Sequence, residues 1–169
     1  MSLFDAVPQF IKMLRNLDRW LTTAAEHAKK KSFEVEVLLQ ARLAPDQFPL
    51  VRQVQIACDS AKFAAAHLTG QKAPAHPDTE KTVDELHARI ASCIAYLETV
   101  KEADFQGAAE RRISAPWMAG KWVAGAPYLL QLAYPNFYFH VTTAYAILRH
   151  NGVDLGKRDF LGDVTLNDA

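Results

Sequence analysis

Apolar residues recur at three- and four-residue spacing through four long stretches of the chain. In the first, Phe4, Val7, Phe10, Ile11, Leu14, Leu17, Leu21 and Ala24 share one face. Lys12, Arg15, Asp18, Arg19 and Glu26 take the other, which predicts an amphipathic helix over residues 2–30. Ser2 is placed to cap it, and Pro8 falls in its early turns. A shorter pattern over 32–43 carries Val35, Leu38, Leu39 and Leu43, then stops at Pro45 and Pro49. A second long helix is predicted over 50–69, ended by Gly70, with Val54, Cys58, Ala61, Ala65 and Leu68 inside. So many alanines on one stripe imply that a neighbouring helix comes close. The third, 78–100, opens on Asp78-Thr79-Glu80, acids that suit a helix N-terminus, and buries Val83, Leu86, Ile90, Ile94 and Leu97.

Periodicity fails over 103–124, where Gly107, Pro116 and Gly120 interrupt the chain. Arg111-Arg112-Ile113-Ser114 can pair with Lys121-Trp122-Val123 as a short hairpin, and Trp117 and Trp122 are expected to fold back over one end of the bundle. A last helix follows over 126–151, with Pro127 near its start, Gly152 beyond its end, and a kink or break at Pro135. In the tail, 153–169, Phe160-Leu161 between glycines reads as an arm against the bundle or a partner chain. The expectation is an all-α four-helix bundle in a single domain, 1–169, with an irregular crossover before the last helix and a C-terminal arm.

Composition narrows the classes of function. Lys plus Arg and Asp plus Glu balance at 19 each, so no basic stripe exists to displace phosphate counterions, and nucleic acid is not an expected partner. Lys29-Lys30-Lys31 ends a helix, where cations suit the dipole. No apolar run reaches the roughly 18–20 residues of a membrane span. Cys58 and Cys93 have no zinc-type or CxxC spacing and are expected to be buried, inert thiols. The N-terminus lacks a basic start followed by an apolar core, so no secretory signal is read and a soluble cytoplasmic protein is expected.

Candidate chemistry lies on the last helix. At about 100° per residue, Leu129, Leu132, Asn136, Phe139, His140, Thr143 and Ile147 share a face. Polar groups there cost free energy unless hydrogen-bonded. Asn136 and His140 stand at i and i+4, the spacing by which bundles present metal ligands from one helix. Imidazole suits zinc, nickel or iron(II), whereas a neutral amide oxygen is a poor ligand for each. The alternative is a core histidine hydrogen-bonded to Asn136, Thr143 or another helix. His76 and His87 are expected at the surface or core edge, and no serine or cysteine sits in a nucleophile motif.

Four long helices, the crossover, and a terminal helix reading Asn136-x-x-x-His140 before Ala146-Ile147-Leu148-Arg149-His150-Asn151-Gly152-Val153 resemble the DinB/YfiT-like superfamily. The segment Arg52-Gln53-Val54-Gln55-Ile56-Ala57 and the tail Leu155-Gly156-Lys157-Arg158-Asp159-Phe160-Leu161-Gly162 resemble an uncharacterised family within it. The resemblance implies a divalent metal, zinc, nickel or iron, held by one histidine of the second long helix and two of the last. It also implies, for some members, thiol-dependent transfer or isomerisation with bacillithiol, mycothiol or glutathione. Carried over by position, His140 is the final ligand and Asn136 replaces the other last-helix histidine. Gln55, with Asp59 one turn on, falls at the second-helix slot.

Two expectations follow. In one, Asn136, His140 and Gln55 or Asp59 line a small-molecule pocket under Trp117 and Trp122, with His140 as metal ligand or general acid–base. In the other, the polar residues fix helix register in a non-catalytic homodimeric module that associates through Tyr138, Tyr145 and the Phe160-Leu161 arm.

Overall fold

The computed structural model describes residues 2–166; Met1 and the last three residues of the tail lie outside the described residues. Ser2 caps a single 3-10 turn, Leu3–Asp5, with a reciprocal bond between its backbone N–H and Asp5. That turn feeds α1, Ala6–Lys31, which ends at Ser32 in the left-handed conformation. A one-turn helix, α2, Glu36–Leu39, leads into α3, Leu50–Thr69, closed by left-handed Gly70. The next helix, α4, Val83–Thr99, starts later than its acidic lead suggested. Thr82 and Glu85 form its capping box, and Asp78 and Glu80 remain in the preceding loop as ion-pair partners.

The crossover carries a two-stranded antiparallel hairpin, β1 Arg112–Ile113 and β2 Val123–Ala124, paired Arg112 with Ala124 and Ile113 with Val123. Pro116–Met118 forms a 3-10 turn at its tip. Then α5, Gly125–Tyr128, a π-turn over Leu129–Ala133, and α6, Tyr134–His150, run as one continuous rod. Pro135 has no N–H for the carbonyl four residues back. The π-turn precedes it, and Tyr134 N–H reaches Leu129 O, five residues earlier. The kink or break expected at Pro135 is instead a wide turn just upstream, over Leu129–Ala133. The tail adds α7, Lys157–Leu161.

One continuous core joins α1, α3, α4 and α6. Alanines 57, 61, 64 and 65 are buried on α3, as expected of a helix with close neighbours on more than one side. Phe10 of α1 packs edge-on against Phe137 of α6, 4.8 Å between centroids. The arm tucks onto its own bundle: Phe160 stacks on Trp20, and Trp20 Nε1 donates to Asp159 O at 3.1 Å. Among the described residues no helix is long and apolar enough to cross a membrane.

Candidate functional site

The π-turn changes which face of the last rod is buried. Its wide turn shifts the phase, so the helical wheel drawn through 129–147 does not hold across it. Phe137, His140, Val141, Thr143, Ala144, Ile147 and Leu148 are buried, whereas Asn136 and Phe139 are exposed. Asn136 sits at the edge of the α3–α6 seam, where its Nδ2 donates to Ser60 Oγ at 2.7 Å. His140 lies inside the seam, and its Nδ1 is 2.7 Å from Gln53 Oε1. Gln53 Nε2 donates to Phe48 O at 2.8 Å, which fixes the amide's orientation. Nδ1 of His140 therefore carries the proton and donates. Burial, then the charge of Arg52, lowers the imidazole pKa to about 4, so it is neutral near pH 7.

Gln55 does not join them. It is two residues from Gln53 on α3 and points to the α4 side, where its Nε2 donates to Glu80 Oε2 and its Oε1 accepts from Arg52. Asp59 pairs with Arg89 at 2.8 Å and Lys62 at 2.7 Å. The α3 partner of His140 is Gln53, which sequence reasoning passed over in favour of Gln55. The ligands inferred by resemblance are thus one imidazole and an exposed amide, with Gln55 on another face. Gln53 Oε1 is already taken by His140. This donor set does not fit zinc, nickel or iron, and among the described residues no three His, Cys, Asp or Glu side chains are grouped to hold a metal.

A groove of about 460 Å³ opens between α3 and the α5–α6 rod. Ile56, Ser60, Phe63 and His67 line it from one face of α3, with Asp59 at the side. Leu132, Ala133 and Asn136 line the facing rod, and Trp117 and Met118 of the crossover form the rim. Trp122 lies outside, with Arg112 over its ring, and His140 and Gln55 do not line the groove. At one end His67 Nδ1 and Tyr128 OH are 3.0 Å apart, and His67 stacks on Phe63. Burial lowers the His67 pKa and pushes Tyr128 up to about 12, so both are neutral near pH 7. No motif marks His67 or Tyr128. The available signal is that 56, 60, 63 and 67 fall in line on a helix.

A family model for a domain of unknown function, DUF1993, matches residues 3–161. The chain belongs to the DUF1993 family. No curated protein matches it. A crystal structure of a DinB family member protein from Shewanella denitrificans is similar to this DUF1993 chain at 51% identity and a TM-score of 0.96, covering 99% of this chain and 96% of that one. The DinB-like helical fold is thereby shown. DUF1993 membership and fold together leave activity open, since function resides in the site.

Proposed function

We propose that this chain binds a small, largely apolar, uncharged molecule in the α3–α6 groove without a metal. The observation that carries the reading is the groove itself: apolar walls with a few convergent polar groups, the usual make-up of a ligand site. Its one carboxylate, Asp59, is already offset by Arg89 and Lys62, so no net charge calls for an ionic ligand. Asn136 gives one N–H to Ser60 and keeps its carbonyl oxygen for a donor on the ligand. His67 and Tyr128 supply a neutral hydrogen-bonding pair at the other end. For the thiol-dependent transfer implied by resemblance, His67 is the groove imidazole able to accept a thiol proton. The neutral dye Nile red tests the reading. Saturable, blue-shifted emission is expected with the native chain, and at least about tenfold weaker binding with Ile56→Trp, which fills the groove. Equal binding by both would overturn it.

A second reading rests on the buried His140–Gln53–Phe48 chain of hydrogen bonds, which serves as a register pin between α3 and α6. In a homodimeric module Tyr138, Tyr145 and Phe160 are poor contacts, because they are engaged within the chain: the Tyr138 hydroxyl accepts from Gln9 and its ring meets Phe137, while the rings of Tyr145 and Phe160 pack on Trp20. Phe139 and Leu130, 55% and 58% exposed, are the apolar candidates on the last rod. Light scattering of the native chain and Phe139→Lys checks this reading: a dimer converted to monomer supports it, and a native monomer removes it.

A further inference from the structure

A second cavity, of about 540 Å³, adjoins the α3–α6 groove at the crossover hairpin. The two share Trp117, Met118, Tyr128 and Leu132, so the 3-10 turn at the hairpin tip stands between them. Lys121, Trp122, Pro127 and Gln131 belong to the second cavity alone. Its indoles are left in water, with Trp117 67% and Trp122 51% exposed. A connection that only had to join α4 to the last rod would not need two open tryptophans, and apolar patches of this kind mark binding surfaces. The charge is one-sided as well. Lys121 is the charged residue of the lining, and the Arg112 guanidinium lies over the Trp122 ring, 4.3 Å from its centroid. Neither cation has an ion-pair partner among the described residues. From Arg111 to Val153 the sequence holds no Asp or Glu, and Glu110, next to Arg111, does not line the cavity. The α3–α6 groove differs in kind, with Asp59 in its lining and no Lys or Arg.

We propose that this second cavity binds a small amphipathic anion, an aromatic carboxylate or sulfonate. Its rings pack against Trp117, Trp122 and Pro127, and its anionic group meets the Lys121 ammonium in a charge-assisted hydrogen bond. Arg112 adds to the positive field from behind Trp122. The size suits a ligand of two or three rings. The backbone that carries Lys121 is fixed before any ligand arrives. Lys121 N–H donates to Met118 O at 2.9 Å, and Lys121 O accepts from Ser114 Oγ at 2.9 Å. Arg111 Nε donates to Leu68 O at 3.0 Å and ties the base of the hairpin to the end of α3. The site is independent of the neutral groove, since it selects the opposite kind of ligand with side chains that the groove does not use.

The probe is anilinonaphthalene sulfonate, titrated into the native full chain and read by its emission. Saturable binding is expected. Lys121→Glu is expected to weaken it at least about tenfold, and Lys121→Arg to stay within about threefold of the native chain. Ile56→Trp, which fills the neighbouring groove, is expected to leave it unchanged. In that variant phenylnaphthylamine, the same rings without the sulfonate, is expected to bind at least about tenfold more weakly than the sulfonate. Circular dichroism melting establishes that each variant is folded. Trp122→Ser, with the same expected loss, serves if Lys121→Glu is not folded, and Ile56→Phe serves for Ile56→Trp. Equal binding by the native chain and Lys121→Glu, loss in Ile56→Trp, or equal affinity for the neutral analogue would each overturn the proposal. So would pelleting with phosphatidylglycerol vesicles that Lys121→Glu abolishes, which would make this face a membrane contact.

Discussion

His140 Nδ1 and Gln53 Oε1 lie 2.7 Å apart inside the α3–α6 seam, and Gln53 is held in turn by Phe48 O. Proton linkage follows from this buried, neutral imidazole. Its folded pKa, about 4, is below its ordinary value of 6.5, so the unfolded chain binds the proton more readily between those values. Its contribution is complete above about pH 6.5 and declines as pH falls toward about 4.

Urea unfolding at pH 7 and pH 5 is therefore expected to show less stability at the lower pH. The share due to His140, on the order of 1 kcal/mol, is expected to vanish in His140→Gln. His67 and His76 are shifted in the same direction, so the variant difference is the diagnostic quantity. At pH 7, Gln53→Leu is expected to cost about 1–3 kcal/mol by stranding the Nδ1 proton. An identical pH slope in native chain and His140→Gln would refute the assignment.

Arg89 sits in the interior among Asp59, Asp78 and Glu80, at 2.8, 3.0 and 2.9 Å. Arg89→Met leaves those carboxylates short of a cation. The expected loss is about 2–3 kcal/mol, below the usual range for a buried pair because the Asp59 and Asp78 side chains stay 27% and 38% exposed. Burial pushes the Glu80 carboxyl up, but the hydrogen bonds from Arg89, the backbone and Gln55, together with the charge of Arg89, outweigh it and the pKa is lowered overall. Its contribution is present above the unfolded value near 4.5 and is lost as pH falls through the folded one. Denaturant melts of Arg89→Met and the milder Asp78→Asn decide this, and equal losses would contradict it.

Gly125 marks where the crossover meets the rod. A Cβ there would stand 1.9 Å from Ala108 O and 3.0 Å from Leu68 Cδ2, next to the Ala126 N–H bond to Ala109 O. Gly125→Ala is expected to cost about 3 kcal/mol by forcing the segments apart. Gly107→Ala, with open space but a φ of +69°, is expected to cost only about 1 kcal/mol. Thermal melts of the two variants check the order.

Phe160 stacks on Trp20 at 5.6 Å and meets Tyr145 edge-on at 5.5 Å, while Asn16 Nδ2 donates to Phe160 O at 2.9 Å. In a Trp117→Phe/Trp122→Phe background Trp20 is the remaining tryptophan. There, Phe160→Ala is expected to shift its emission to the red and to cost about 2 kcal/mol. Unchanged emission would mean that the arm does not rest on Trp20.

The long helices were legible because each buries a stripe of period 3.6, and Gly70 marks the end of α3 as expected. The hairpin was legible from Arg112-Ile113 and Val123. The site was less so. A wheel assumes a uniform turn, and one drawn through Leu129 and Leu132 across the wide turn placed the buried face of α6 off centre, so that Asn136, at its edge, was put beside His140 inside it. Gln53 and Gln55 are both buried on α3, so burial could not distinguish the residue facing α6 from the one facing α4. Asp78 and Glu80 read as helix-opening acids, but long-range pairing with Arg89 held them in a loop. His67 and Tyr128 are 61 positions apart, and only the folded chain joins them.

The turn at Leu129–Ala133 acts as a one-residue spacer between two halves of a single rod. A further residue inserted beside it, with no second wide turn to absorb it, would swing everything upstream by about 100° relative to α6. Tyr128 would leave His67, and the crossover with Trp117 would be carried away from α3. The cavity thus hangs on an insertion in the backbone count, and side chains alone could not rebuild it.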